Sequence, residues 1–234
     1  MKLRRNFSKH LLTIYKTLYN SFGPQDWWPG DSPFEIIIGA ILTQNTNWRN
    51  VSKAINNIKR ARLLEPKKLL KHKRVIPRLI RPSGFYKLKS QRLIGFLNYY
   101  IKNYQGSVEE MDRQKTEILR KELLQISGIG NETADAILLY ALSRPVFVVD
   151  TYTRRIFSRH KIFNYHVPYD EIRYFFEINL PNDVQLYNEY HALLVKLGKE
   201  YCKITKPLCN TCPIRDIKTW ISGYVIQSEC NPFR

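Results

Sequence analysis

The sequence predicts an all-α protein. Three observations carry that prediction: apolar residues recur with helical spacing, proline and glycine interrupt that spacing at short intervals, and no stretch alternates as a half-buried strand does. A loose first stripe runs through Leu11, Tyr15, Leu18 and Tyr19. A long amphipathic helix follows from Leu93, Phe96, Leu97, Tyr100, Ile101 and Tyr104, and another from Ala134, Ile137, Leu138, Ala141 and Leu142. Turn signals fall at Gly23-Pro24, Pro29-Gly30, Arg81-Pro82-Ser83-Gly84, Gly128-Ile129-Gly130, Pro145 and Pro181-Asn182, which divides the chain into roughly eight to ten helices. Val146 to Val149 is β-branched and aromatic, but four residues between two helical patterns read more simply as an extended connector. No internal repeat and no flexible linker is visible, so any division into domains must be compact and discontinuous.

The chain has 234 residues, 44% of them apolar and 13% aromatic, enough to bury one large core or two smaller ones. Thirty-eight Lys and Arg face 20 acids, a formal charge of +18 spread along the whole length, which points to a polyanionic partner. The apolar stretch near the start, Leu11 to Tyr15, ends at Lys16 and cannot be a signal h-region. The longest apolar run, Ile36 to Leu42, is far below the roughly 18 residues that cross a bilayer. The expectation is a soluble intracellular protein, cytoplasmic or held at the nucleoid, with no membrane partner.

Between two helical patterns, Leu123-Leu124-Gln125-Ile126-Ser127-Gly128-Ile129-Gly130-Asn131-Glu132-Thr133-Ala134-Asp135 sets two glycines around one apolar residue, the sequence form of a helix-hairpin-helix. The glycines permit a tight reversal and leave bare amides at the start of the second helix, where donors and dipole favour a phosphate oxygen. A plain helix connection with glycine as C-cap is the competing reading for a lone G-x-G. Further on, Val146-Phe147-Val148-Val149-Asp150-Thr151 closes an apolar run on an acid that opens a helix, and alone Asp150 reads as an N-cap.

Taken together, Ile126 to Gly130, Thr133-Ala134 and Val148-Val149-Asp150-Thr151 resemble the signature of the endonuclease III superfamily of DNA glycosylases. The resemblance implies that Asp150 is the catalytic carboxylate and that the hairpin, with Gly128, Gly130 and Thr133, grips the DNA backbone. Bifunctional members carry a lysine two positions after the second hairpin glycine, where this chain has Glu132. A lysine there attacks the sugar and forms a Schiff base, which an acid cannot do. The expectation is therefore a monofunctional glycosylase that leaves an abasic site, with substitution by another lysine left open.

Asp26-Trp27-Trp28-Pro29-Gly30, Leu42-Thr43-Gln44-Asn45-Thr46-Asn47-Trp48 and Arg81-Pro82-Ser83-Gly84-Phe85-Tyr86 resemble the 3-methyladenine DNA glycosylase branch of that superfamily. The branch implies a damaged base stacked between Trp27 or Trp28 on one side and Trp48 on the other, and Gln44 as the residue that enters the gap left by the extruded base. Core packing is the competing reading for each tryptophan. An N-alkylated purine is cationic, so it stacks well on indole faces and departs as a neutral leaving group. Such a reaction needs one ionised carboxylate to stabilise the oxocarbenium-like sugar and direct water, which Asp150 alone supplies.

All four cysteines lie near the end, and in a reducing cytosol that clustering favours metal ligation over disulfides. Cys202-x6-Cys209-x2-Cys212 resembles the first three ligands of the C-terminal 4Fe-4S loop of endonuclease III relatives. The usual fourth position holds Lys218, which leaves Cys230 as the remaining thiol. A zinc or three-thiolate site, and an empty remnant, stay open. Lys199, Lys203, Lys206 and Arg215 surround these thiols as candidate phosphate contacts.

The resemblance implies two helical lobes with the DNA cleft between them. One, residues 30–143, ends in the hairpin, and the other, 1–29 with 144–234, carries Asp150 and the cysteine loop. The implied partner is damaged double-stranded DNA, bound by a monomer. Two other readings compete: a glycosylase for oxidised, deaminated or mismatched bases, with or without lyase activity, and a non-catalytic module that binds DNA through the hairpin.

Overall fold

The structure is a computed structural model that describes residues 2–27 and 30–217, and among these regular structure is helical throughout, with no β-strand. By internal contacts the chain forms two compact units, Trp28–Arg144 and Met1–Trp27 with Pro145–Arg234.

The central unit is built around α2 (Pro33–Leu42). Ser32 caps this helix by accepting from the Glu35 amide at 3.3 Å, Pro33 occupies its first turn, and the Glu35 carboxylate reaches back to the Asp31 amide at 3.2 Å. Apolar on nearly every side, α2 is largely internal beyond its exposed Pro33, with Ile37, Ile38, Ile41 and Leu42 inaccessible to water. It packs on α3 (Trp48–Arg60), α6 (Tyr86–Tyr104) and the π-helical turn Ile137–Ala141. Short helices α4 (Pro66–Lys71), α5 (Ile76–Leu79) and α7 (Val108–Asp112) fill the intervals. The hairpin consists of α8 (Thr116–Leu124) and α9 (Asn131–Ala136), the latter running on into the π turn.

The other unit packs α1 (Lys2–Phe22) against α11 (Tyr169–Asn179) and α12 (Val184–Glu200), and α12 against α10 (Thr151–Arg159). Its centre is aromatic: Phe147 stacks on Phe176 at 4.1 Å, with Tyr187 and Tyr190 edge-on around it. The run Val146–Val149 is a buried connector without regular structure. Side chains take the place of a strand partner, since the Phe147 amide donates to Glu177 at 3.0 Å and the Val149 amide to the Tyr169 hydroxyl at 3.2 Å.

The described residues contain twelve α-helices, more than the roughly eight to ten that periodicity predicts. The excess is α4, α5 and α7, of 6, 4 and 5 residues, too short for a 3.6-residue period to declare itself. No described helix is long and apolar enough to cross a membrane.

Candidate active site and nucleic-acid interface

The unit formed by the two chain ends holds Asp150. The anchored connector delivers it in extended conformation, φ −100° and ψ −176°, as the N-cap of α10, where Oδ1 accepts from the Thr153 amide at 2.7 Å. Its other oxygen, Oδ2, lies 3.5 Å from Nε2 of His191 on α12. Gly198 permits the close approach of these two helices, because any side chain there would run into the Tyr152 ring. Asp150 is only 7% exposed. Burial pushes its carboxyl up, but the hydrogen bond and charge of His191, with the bonds from Thr153, outweigh that and hold it below the usual carboxylate range. The result is a buried carboxylate that is ionised at neutral pH.

Trp27 sits in the same neighbourhood, its ring edge-on to His191 at 6.3 Å and covered by the Lys199 ammonium at 5.7 Å. The segment leading to it is tethered by the Gln25 amide, which donates to Glu189 on α12 at 2.9 Å. Trp28 lies outside the described residues.

In the central unit, Gly128 has φ +84°, and a Cβ at this position would fall into the carbon chain of Arg92. Gly130 is the N-cap of α9 at φ −94°, with open space where a Cβ would be. Gln44 is joined to this turn: its Nε2 donates to the Gly128 carbonyl and to Thr133 Oγ1, each at 3.0 Å, while Arg92 Nη1 donates to its Oε1. The loop bearing Gln44 is held from beneath by Lys89, only 1% exposed, whose Nζ donates to the carbonyls of Leu42 at 2.8 Å and Ser83 at 2.6 Å. Burial, then the nearby Arg92 charge, pushes the Lys89 ammonium down to about 8. The two hairpin helices are braced by Arg120, which grips Asp135 through two bonds of 2.6 and 3.1 Å. Glu132 stands exposed in the first turn of α9. Trp48 opens α3, half-buried, and lines a cavity of about 210 Å³ with Gly30, Ser52, Asn56 and the Lys59 ion pair to Glu35.

Asp150 and Trp27 are thus gathered in one unit, and Gln44, Gly128, Thr133 and Trp48 belong to the other. His191, Arg92 and Lys89 do not stand out in sequence motifs. Two of them left a trace: Lys89 keeps step with the buried stripe Leu93, Phe96, Leu97 and Tyr100, and His191 with Tyr187, Tyr190 and Leu194.

Cys202 is fixed through its backbone, its amide donating to Leu197 at 2.8 Å and its carbonyl accepting from Arg155 at 2.7 Å. Cys202 and Cys212 are half-buried, Cys209 is exposed, and all three are free thiols. Burial, then the proximity of Cys202 and Cys209, pushes the Cys212 thiol up. Among the described residues no group of three or more His, Cys, Asp or Glu side chains is placed to hold a metal ion. Lys218 and Cys230 lie outside the described residues.

The profile of the HhH-GPD superfamily of base excision DNA repair proteins matches residues 38–181, and the chain belongs to that superfamily. It is 49% identical over 217 residues, 92% of this chain and 98% of the other, to the "Putative DNA repair glycosylase MJ1434" of Methanocaldococcus jannaschii. Among solved structures it resembles the H. pylori 3-methyladenine DNA glycosylase bound to 1,N6-ethenoadenine, at 33% identity and TM-score 0.71 over 81% of this chain and 97% of that one. An endonuclease III–DNA complex shares the fold, with TM-score 0.74 at 20% identity over 88% of this chain and 92% of that one. The expected helical fold and superfamily stand, and the class of activity is that of a DNA glycosylase, hydrolysis of a base–sugar bond.

Proposed function

We propose that this chain is a monofunctional glycosylase that everts an N-alkylated purine such as 3-methyladenine from duplex DNA and hydrolyses its bond to deoxyribose, leaving an abasic site. The observation that carries the reading is the buried, ionised carboxylate of Asp150. As the C1′–N bond breaks, its electron pair leaves with the cationic base, which departs neutral, and positive charge develops on the sugar. A carboxylate already ionised in a dry setting stabilises that charge without reorganisation. Water then adds at C1′ and gives up a proton, for which the same carboxylate is the acceptor. In this reading Trp27 and Trp48 remain the candidates to stack a cationic base, and Glu132 supplies no amine for lyase chemistry. The likeness to the H. pylori enzyme favours the alkylpurine over other lesions.

The hairpin binds the DNA backbone. Nothing inside the protein requires glycine at Gly130, whose Cβ position is open, and a closely approaching phosphate supplies the missing reason. Gln44, carried at this turn, is the residue that fills the vacated stack. In this reading Cys202, Cys209 and Cys212, with Cys230, hold a 4Fe-4S cluster. The support for it is the spacing of the thiols in the sequence; among the described residues their side chains are not gathered as a metal site, and burial with two neighbouring thiols pushes the Cys212 thiol up, which a bound cation would relieve. A cluster there gives the loop structural rigidity, and the protein's own residues perform the chemistry.

A panel of duplexes carrying 3-methyladenine, 7-methylguanine, hypoxanthine, uracil or thymine glycol tests the assignment. Release of alkylpurines with no strand cleavage is expected, and Asp150→Asn should abolish release while DNA affinity persists. Release confined to another lesion, or efficient borohydride capture of the chain on damaged DNA, overturns it. Tight binding with no release of any base favours the non-catalytic module.

A further inference from the structure

Asp150 serves two masters, and its two oxygens are differently engaged. Oδ1 is committed to the Thr153 amide at 2.7 Å, a bond that belongs to the helix cap. A sugar that draws on the carboxylate must draw on Oδ2, and the polar atom facing Oδ2 is His191 Nε2, 3.5 Å away. His191 is 5% exposed and projects from α12, the helix on which α10 rests. The Trp27 ring borders it edge-on at 6.3 Å, and Lys199, further along α12, covers Trp27. Helix packing and an aromatic neighbour therefore fix the imidazole from two directions.

We propose that His191 is a positioning residue of the glycosylase reaction: its Nε2 donates to Asp150 Oδ2, so that two donors, one per oxygen, set the carboxylate plane and keep its charge on the oxygen offered to the sugar. The inference rests on the reading of Asp150 as the catalytic carboxylate. A separation of 3.5 Å is long for a hydrogen bond, as such contacts often are before substrate closes the site. Electrostatics point the same way. The groups acting on Asp150 are His191 from α12 and, on α10 itself, Thr153, with Tyr152 close enough to feel its charge; Arg155 is turned elsewhere, stacking on Tyr152 at 5.0 Å and donating to the carbonyls of Gly198 and Cys202. Lys199 lies beyond Trp27. Of these, His191 is what counters the burial of Asp150 from outside its own helix.

A histidine that merely fills the core predicts something different, and the pH profile separates the two. Single-turnover base release should be measured from pH 5 to 9 for the wild type, His191→Leu, His191→Gln and Asp150→Asn. The wild type should be flat toward acid. His191→Leu should be at least about tenfold slower at neutral pH and lose further activity toward the acid end of that range, with DNA affinity kept. His191→Gln, which keeps a donor but not the charge, should recover most of the neutral rate and still show the acid loss. Titration of the Asp150 carboxyl carbon by NMR should move upward in both variants, and reads the effect without activity. If His191→Leu does not fold, His191→Gln and the carboxyl titration decide. An unmoved acid limb and carboxyl titration in the folded variants overturn the proposal, whereas an active Asp150→Asn overturns the reading beneath it.

Discussion

Gly128 and Gly130 answer to different demands. Gly128 needs its missing side chain for internal reasons: its φ of +84° is unfavourable for any L-residue, and Arg92 occupies the space a Cβ needs. Gly130 has an ordinary φ of −94° and open space, so its need lies outside the protein. Gly128→Ala should therefore lower stability by about 1–2 kcal/mol from backbone strain alone, and more if Arg92 cannot yield. Gly130→Ala should leave the urea midpoint nearly unchanged and weaken binding to undamaged duplex. Paired denaturation and binding measurements check this, and equal loss of stability in both variants would refute the distinction. A G-x-G spelling makes the two positions look equivalent, and only their surroundings separate them.

At the level of elements, the loop after α2 is held by the side chain of a distant helix. Lys89 of α6 donates to the last α2 carbonyl and to Ser83, inside the protein, and its ammonium titrates at about 8. Between about pH 8 and the ordinary lysine value of 10.5, the unfolded chain binds a proton that the folded chain does not. Folding stability should thus rise with pH across that window, and no further change from this group should appear below it. Lys89→Met removes the titration and leaves two buried carbonyls without their donor, costing about 2 kcal/mol or more at neutral pH. Urea unfolding of both proteins at pH 7.5 and 10 measures the effect, and a pH-independent difference between them would count against it. The Gln44 loop depends on that support, and so does the approach of Gln44 to Arg92, Gly128 and Thr133.

For the molecule as a whole, the charge of +18 supplies a general attraction to DNA, while chemistry depends on a few groups shielded from that field. The cluster proposed for the cysteine loop would colour the whole protein. Protein purified without chelators should be brown, with broad absorption near about 400 nm and roughly four irons per chain, and Cys209→Ser should bleach it. A colourless, iron-free native preparation would eliminate the cluster. The hairpin, the connector and the cap at Asp150 were all legible beforehand, since each is a local pattern: glycine at a reversal, apolar residues before a helix, an acid at its first turn. Lys89 and His191 were legible only as polar residues in step with apolar stripes, a signal that an ordinary satisfied core residue produces equally well.

By itself the sequence determined the helical class, the hairpin and the acid that opens α10, because periodicity, turn chemistry and capping act over a few residues and are written in residue order. The tertiary structure alone decided that His191 faces Asp150, that Arg92 and Thr133 hold Gln44, and that Arg120 grips Asp135. Periodicity says which face of a helix turns inward but not what it meets there, and a carboxylate's charge state depends on what it meets.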